Sequence, residues 1–214
     1  MIDFLLTAKH TLFTPEGLQQ LIGSFGLPVL ILIVFAETGL LVGFFLPGDS
    51  LLFIAGFMAG IGALDCGFLT LNATLSAAAI LGDTVGYWFG TRMGHALYTR
   101  DDSFFFKKKH VLHTKAFYEK HGGKTIILAR FVPIVRTFAP MVAGVGEMTY
   151  AKFISYNIFG GIFWVFSMTA LGYKLGSIPW VAKNLEKAVL VVIFISVLPI
   201  LIEYVRHRRA QTAS

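Results

Sequence analysis

Charged residues are scarce in this sequence. Asp, Glu, Lys and Arg together make up 14% of its 214 residues, whereas an average soluble protein has about 25%. Hydrophobic residues make up 56%, and the mean hydropathy is +0.72. A soluble domain of this length could not bury so much apolar surface in one core. The composition argues against a disordered chain and against a nucleic-acid-binding protein, and it predicts an integral membrane protein.

The sequence also lacks the usual arrangements of residues that form metal centres and catalytic sites. Its single cysteine, Cys66, cannot form an intramolecular disulfide. His110, His113 and His121 lie in a basic amphipathic stretch without further metal ligands nearby. No Ser-His-Asp or Cys-His arrangement and no glycine-rich phosphate loop is recognisable. We therefore expect no metal, no cofactor and no enzymatic activity.

Residues 1–17, the first part of the predicted N-terminal interfacial segment 1–26, contain no long apolar run, so they do not resemble a cleavable signal peptide. Thr14-Pro15-Glu16 is typical of a helix start, because it combines an N-cap side chain, an early proline and an early acid. Apolar residues then recur at helical spacing on one face, at Leu18, Leu21, Ile22 and Phe25. This pattern predicts a short amphipathic helix that lies in the membrane interface.

Six apolar segments follow, at residues 27–46, 47–64, 67–91, 125–145, 150–173 and 188–205. A helix that spans the membrane needs about 20 residues. Positive charge, which marks cytoplasmic loops, is concentrated in residues 92–124 and in the tail, 206–214. Both regions are therefore predicted to be cytoplasmic.

Three apolar segments separate these two cytoplasmic regions, and a return to the same side requires an even number of crossings. One segment must therefore enter and leave on the same face of the membrane. Segment 125–145 is interrupted by Pro133 and Pro140, and its halves are too short to span the membrane. We interpret it as a re-entrant helical hairpin that enters from the cytoplasm.

The front half of the sequence contains a similar pattern. The similar runs are Phe45-Leu46-Pro47 followed by Ala55-Gly56, and Phe131-Val132-Pro133 followed by Ala143-Gly144. Segment 47–64, broken at Pro47 and Gly48, is therefore predicted to be a second hairpin that enters from the opposite face. The expected fold is an all-α membrane domain, 27–205, with about four spans and two opposed hairpins in an inverted repeat. Both termini would be cytoplasmic. Six plain spans, the alternative, would break the crossing parity of the back half.

A small residue occurs at every fourth position of residues 78–94, which begin in the third segment. The residues are Ala78, Gly82, Gly86, Gly90 and Gly94. They leave one face of a helix flat, which lets a neighbouring backbone approach closely. The pattern indicates tight packing, either within the chain or between two copies of a homo-oligomer.

Five ionisable residues lie inside apolar segments, namely Glu37, Asp49, Asp83, Arg130 and Arg136. A charge at mid-bilayer costs about 2.5–3.5 kcal/mol even on the lenient insertion scales, unless it is paired or faces a wet cavity. A purely structural network of ion pairs is one interpretation. A hydrated transport site is the other, because intramembrane charges commonly mark pathways.

The two arginines are separated by five residues, with Pro133 midway between them. A proline break would let both guanidinium groups converge on one point, where they could bind a phosphate through bidentate hydrogen bonds. Asp49, in the facing hairpin, would either neutralise them or share the ligand. Glu37 and Asp83 are the predicted proton carriers, although Asp83 also has a plausible structural role beside the glycine face.

These motifs occur in a recognisable order: Glu37, the run from Phe45 to Asp49, the run from Gly82 to Gly90, and the run from Ala129 to Gly144. In this order they resemble the DedA family of bacterial inner-membrane proteins, whose core is called the VTT domain. The resemblance covers about residues 25 to 205. It implies two facing re-entrant hairpins, a role in moving lipids, and functional roles for Glu37, Asp49, Arg130 and Arg136. Family members are linked to recycling of undecaprenyl phosphate and to the proton-motive force, and others to phosphatidylethanolamine or other phospholipids.

The leading hypothesis is therefore a proton-motive-force-dependent flippase that returns undecaprenyl phosphate to the cytoplasmic leaflet. Its expected partners are membrane lipids and protons. The alternative is a broader phospholipid transporter or scramblase. A proton–cation antiporter would use the acids but would leave two buried arginines unexplained. A lipid phosphatase would need a nucleophile or base near the arginines, and no histidine occurs between residues 122 and 206.

Overall fold

The computed structural model describes residues 14–40, 46, 48–99, 124–176, 178, 184 and 187. Within these ranges the chain is helical and contains no strand. The helices are α1 (Pro15–Gly39), α2 (Gly48–Gly60), α3 (Phe68–Thr99), α4 (Lys124–Ala129), α5 (Pro133–Val145) and α6 (Tyr150–Gly176). The fold of the described residues is therefore all-α, as the sequence predicts.

Three of these helices are long and apolar enough to cross a membrane, at Gly17–Gly39, Phe68–Gly94 and Tyr150–Gly176. They correspond to the predicted spans 27–46, 67–91 and 150–173, except that the first one ends earlier, at Gly39. The second extends as α3 to Thr99, into the predicted basic loop. The predicted fourth span, 188–205, and the basic tail lie outside the described residues.

The sequence of α1 explains where this helix begins and where it bends. The Thr14 hydroxyl accepts a hydrogen bond from Gly17 N at 3.1 Å, which caps the helix N-terminus. Gly26 has a φ of 61° and interrupts the helical backbone, a conformation that glycine adopts without the steric cost of a Cβ. The predicted amphipathic helix is thus continuous with the first span across a bend. Its apolar residues Leu18 and Ile22 are buried in the core, whereas Phe25 is exposed.

Two features of the predicted hairpins differ in the structure. Segment 47–64 is not a hairpin in itself, because α2 is one uninterrupted helix whose residues from Leu51 to Met58 are all buried. The chain instead reverses before it, since α2 begins beside Glu37, near the end of α1, and then packs along α1. Pro140 lies inside α5 and does not end it. It packs against the flat glycine face of α3, 3.6 Å from where a Cβ on Gly86 would lie.

The break at Pro133 occurs as predicted. Helix α4 ends at Ala129 and α5 begins at Pro133. The two helices are antiparallel, because Ile126 of α4 packs in one cluster with Ala143, near the far end of α5. Arg130 therefore lies at the turn between them.

Helix α2 packs against α6 and runs in the same direction. Gly172 lies against Phe53, and Gly176, one turn later, lies against Phe57, one turn later on α2. A Cβ on Gly176 would lie 3.0 Å from the Phe57 carbonyl oxygen. The glycines therefore allow a backbone-to-backbone contact that larger residues would prevent.

Helix α5 packs against α3 in the same way. Gly90 lies against Met141, and Gly94 lies against Val145, so these two helices are also parallel. A Cβ on Gly94 would lie 3.0 Å from Val145 Cα. The two 13-residue helices, α2 and α5, thus each pack on a long helix from the other half of the sequence.

Helices α3 and α6 run in opposite directions. Asn157 Nδ2 donates to the Ile80 carbonyl at 3.1 Å, and Thr169 Oγ1 donates to Asn72 Oδ1 at 2.7 Å. The residue number of the contact on α3 thus decreases as the residue number on α6 increases. Since α2 is parallel to α6 and α5 is parallel to α3, the short helices α2 and α5 run in opposite directions.

Candidate functional site

All five ionisable residues singled out from the sequence lie close to where these helices meet. Four of them are buried, with exposed fractions of 0% for Glu37, 3% for Asp83, 3% for Arg130 and 7% for Arg136. Asp49 is half-buried. They form two ion-paired groups, which we call the Arg136 cluster and the Arg130 cluster.

The Arg136 cluster consists of Arg136, Glu37, Asp49 and Trp164. Arg136, in the first turn of α5, donates from Nη2 to Glu37 Oε1 and from Nη1 to Asp49 Oδ1, the second bond measuring 2.5 Å. Glu37 comes from the end of α1 and Asp49 from the start of α2. One guanidinium therefore joins three helices through two of its nitrogens.

Two further residues complete this arrangement. The Trp164 indole Nε1 donates to Asp49 Oδ1 at 2.9 Å, and its ring centroid lies 4.8 Å from Arg136 Cζ. At this distance the positive charge is attracted to the aromatic face. Gly48 leaves room for the Glu37 carboxylate, which would overlap a Cβ at that position. Gly48 is thus the first residue of α2 and part of the wall of the site.

The Arg130 cluster consists of Arg130, Asp83 and Asn157. Arg130 Nη2 donates to Asp83 Oδ2 and to Asn157 Oδ1. The Asn157 amide nitrogen donates to the Ile80 carbonyl, which fixes the orientation of the amide. This cluster joins α3, α6 and the turn after α4.

The two arginines therefore do not converge on one point, which differs from the prediction made from the proline break between them. Each has its own carboxylate partners, and Asp83 pairs with Arg130 rather than sharing a group with Glu37. The physical reason is the antiparallel turn between α4 and α5, which leaves Arg130 beside α3 and α6 and carries Arg136 toward α1 and α2. Pro47, a predicted break, lies outside the described residues.

Not every polar atom of the site is used. Among the described residues, the buried side-chain atoms without a hydrogen-bond partner are Glu37 Oε2, Arg130 Nε, Arg136 Nε and Thr137 Oγ1. Buried polar atoms are normally paired, so each unpaired one calls for a reason such as a missing water or ligand. Three of the four belong to the two clusters. Both arginines and Glu37 thus retain unused hydrogen-bonding capacity.

The charges of the site do not cancel. Three carboxylates face two guanidinium groups, which leaves one excess negative charge when all five are ionised. An anionic ligand would therefore have to displace a carboxylate from an arginine, and a bound proton would ease that displacement by neutralising the carboxylate. A cation would be accepted without such an exchange. Among the described residues, no group of three or more His, Cys, Asp and Glu side chains could hold a metal ion.

The glycine face of α3 is divided between two neighbours. Gly82 packs against the backbone of α1 near Thr38, and Gly90 and Gly94 pack against α5. Gly86 lies between these contacts, near Pro140. The face therefore holds α1 and α5, which carry Glu37 and Arg136, against the same helix.

Sequence reasoning missed the contributions of α6. Asn157, Gly160, Gly161 and Trp164 all contact the clusters. Three of these four residues are glycine or tryptophan, which are common in apolar helices, so they carry no distinctive signal. An asparagine in the interior of a predicted span is the feature that could have identified this helix as part of the site, since polar residues in a membrane are costly.

Comparison with known proteins places the chain among membrane proteins. The VTT domain model matches residues 46–174. Protein DedA of Escherichia coli is 47% identical over 213 residues, which cover 98% of this chain and 94% of that protein. An uncharacterized membrane protein of Mycobacterium leprae is 45% identical over 186 residues, which cover 87% of this chain and 82% of that protein. The inner membrane protein YghB of Escherichia coli is 34% identical over 167 residues, covering 78% of this chain and 74% of that protein. No solved structure matches the chain significantly.

Proposed function

The chain belongs to the DedA family of VTT-domain membrane proteins, and we propose that it moves a phosphate-bearing lipid headgroup across the bacterial inner membrane. The proposed cargo is undecaprenyl phosphate, transferred between the leaflets at the expense of the proton-motive force. The headgroup crosses at the Arg136 cluster, while the polyprenyl tail remains in the lipid.

One observation carries this proposal. The Arg136 guanidinium is buried and engages two carboxylate oxygens through two different nitrogens. A phosphate offers the same kind of acceptor oxygens, and arginine suits it because its planar fork binds bidentately and stays charged. In the proposed cycle, phosphate oxygens replace those of Glu37 or Asp49.

The excess negative charge of the two clusters supports a role for protons. A phosphate that enters a site with this charge adds to the repulsion unless a carboxylate is neutralised. Glu37 is the proposed proton carrier, because one of its carboxylate oxygens is buried without a partner. Asp49 is the proposed anchor of the arginine, because it accepts hydrogen bonds from both Arg136 and Trp164.

The proposed membrane arrangement follows the directions of the helices. Residues 27–39 of α1 enter the membrane and α2 returns to the same side. Helices α4 and α5 form the second re-entrant hairpin from the cytoplasmic side, and α3 and α6 are full spans. Opposed hairpins that meet near the midplane are an architecture in which transporters place their sites. The 92–124 region and the C-terminus are proposed to be cytoplasmic, so the hairpin of α1 and α2 enters from the periplasmic face, and a cytoplasmic N-terminus requires a further crossing before residue 27.

A broader phospholipid transporter or scramblase is the second candidate. The described residues of the two clusters offer partners for a phosphate and none that distinguishes a polyprenyl tail from an acyl chain. The excess negative charge also fits a proton–cation antiporter, which is the third candidate.

Reconstituted vesicles separate these candidates. We would measure transfer of labelled undecaprenyl phosphate between leaflets, with and without a pH gradient, alongside labelled phosphatidylethanolamine and the neutral undecaprenol. We expect transfer of the phosphate lipid, faster with the gradient, and none of the neutral lipid. Equal transfer of both phosphate lipids would favour the second candidate. Gradient-driven cation movement without lipid transfer would favour the third.

Two variants test the assigned roles. Glu37→Gln keeps the shape of the side chain but cannot release a proton, so we expect lipid binding to survive and the response to the gradient to disappear. Asp49→Asn should instead weaken binding, because it removes one of the two acids that hold Arg136. If Glu37→Gln kept an unchanged response to the gradient, the proton role would belong to Asp83, or the transport would not be coupled to protons.

A further inference from the structure

One face of α6 contacts both arginine clusters. Asn157 and Trp164 are seven residues apart, which is about two turns of an α-helix, so their side chains leave the same side. Their exposed fractions are 0% and 1%. The helix carries no charged residue between them. What it contributes to the clusters is therefore orientation rather than charge.

The two glycines on this face receive the side chain of Arg130. A Cβ on Gly160 would lie 3.1 Å from Arg130 Cδ and 3.2 Å from Nε, and one on Gly161 would lie 3.4 Å from Nη2. Asn157 Oδ1 then accepts from the end of the same side chain. Arg130 is thus held along its length by a helix that does not carry its counter-ion.

Trp164 holds the Arg136 cluster differently. Its N–H donates to Asp49, and its ring lies over the guanidinium of Arg136. An aromatic ring attracts the face of a guanidinium, whereas carboxylates and phosphates bind the N–H groups at its edge. The contact with the ring can therefore persist when an anion exchanges at the edge.

We propose that the face of α6 formed by Asn157, Gly160, Gly161 and Trp164 is the positioning face for both arginines. In this proposal, Trp164 holds the Arg136 guanidinium in its orientation while the carboxylate partners of Arg136 are exchanged for a lipid phosphate. The proposal rests on the function proposed above. Trp164 and Asn157 are positioning residues, because they act on the headgroup through the arginines.

Three variants at two tryptophans test this role. Trp164→Leu removes both the N–H and the aromatic ring, and Trp164→Phe removes the N–H but keeps a smaller aromatic ring. Trp88→Phe is the matched control, because Trp88 is 58% exposed on α3. In phosphatidylcholine vesicles containing undecaprenyl phosphate, Trp164→Leu should raise the half-saturating lipid concentration about tenfold with little change in maximal rate. Trp164→Phe should raise it less, and Trp88→Phe should not change it.

Fluorescence gives a readout that a purely structural role would not move. The chain has three tryptophans, so Trp88→Phe with Trp180→Phe leaves Trp164 as the only one. Its emission should change saturably when undecaprenyl phosphate is added and should not change with undecaprenol. A protein whose only tryptophan is Trp88 should respond to neither lipid.

The outcomes distinguish this inference from the proposed function. An emission change at Trp164 that saturates with the phosphate lipid supports the positioning face, even if the wild-type protein fails to transfer that lipid, which would refute transport alone. Unchanged emission, or an unchanged half-saturating concentration in a folded Trp164→Leu protein that still transports, would overturn the positioning face.

Discussion

The buried pair between Arg130 and Asp83 gives a prediction about stability that does not depend on the transported substrate. Asp83→Asn removes the carboxylate but preserves the size of the side chain. It leaves the Arg130 guanidinium, which is 3% exposed, without a counter-ion. Breaking a buried ion pair by removing one partner costs about 3–5 kcal/mol. Asn157 still accepts a hydrogen bond from Arg130, so we expect the low end, about 3 kcal/mol.

The Arg136 cluster provides an internal comparison. Asp49→Asn also removes a carboxylate from an arginine, but Glu37 remains bonded to the same guanidinium. The Asp49 side chain is also 14% exposed, so solvent reaches it. We expect a loss of only about 1 kcal/mol, comparable to one hydrogen bond. Asp65→Asn, at an exposed position in the loop after α2, should change stability by less than about 0.5 kcal/mol.

A double variant decides whether charge is the cause. Asp83→Asn combined with Arg130→Gln removes both charges. The double variant should therefore be more stable than the sum of the two single losses predicts, with a coupling free energy of about 1–3 kcal/mol. Unfolding in mixed micelles, followed by circular dichroism over a denaturant titration, measures the stability of the wild-type protein and of all five variants. If the single losses simply add, or if Asp83→Asn costs no more than Asp49→Asn, the ion pair does not stabilise the fold as argued here.

Three further predictions concern function, packing and topology. Arg136→Lys and Arg130→Lys should each lose most lipid transfer at normal protein levels, because an ammonium group cannot bind a phosphate bidentately as a planar guanidinium can. Full transfer by both variants in the vesicle assay would show that bidentate binding is dispensable. Gly90→Ala should cost about 1–3 kcal/mol in the denaturant titration, because its Cβ would overlap the Met141 carbonyl, whereas Gly23→Ala, with open space around it, should be neutral or slightly stabilising. A cysteine at Ser214, with Cys66 replaced, should react with an impermeant reagent only after the cytoplasmic side is opened, and reaction in intact cells would contradict the proposed orientation.

Hydropathy and proline spacing predict much of the fold. The spans 67–91 and 150–173 agree with α3 and α6, because a continuous run of apolar residues leaves a helix as the only way to satisfy the backbone in lipid. The break before Pro133 is equally local, since proline lacks the N–H that an uninterrupted helix would need. The end of α1 at Gly39 is not predictable in this way. The apolar run continues beyond it, and hydropathy does not register where a helix ends.

The pairing of charges could not be read from the sequence either. The five ionisable residues are visible because charge is rare in apolar segments, but their partners are set by the faces of the helices that carry them. Arg130 and Asp83 are 47 positions apart, and Arg136 and Glu37 are 99 positions apart. The glycine face of α3 predicts a close neighbour without identifying it. Trp164 and Asn157 escape notice for a different reason, since neither carries a charge.

The crossed packing of the short helices bears on how such a site could change. Helix α2 is held to α6 and α5 is held to α3 by contacts between backbones at glycines, and such contacts tolerate little displacement. Asp49, on α2, is therefore fixed relative to α6 and Trp164, whereas Arg136, on α5, is fixed relative to α3. The bond between Asp49 and Arg136 lies between these two units. Hydrogen bonds of this kind can be exchanged with water or a phosphate, which a packed glycine contact cannot. If the protein alternates between two states, we therefore expect the change to exchange the hydrogen bonds at Arg136, and to leave intact each glycine-packed pair and the contact between the Trp164 ring and the guanidinium.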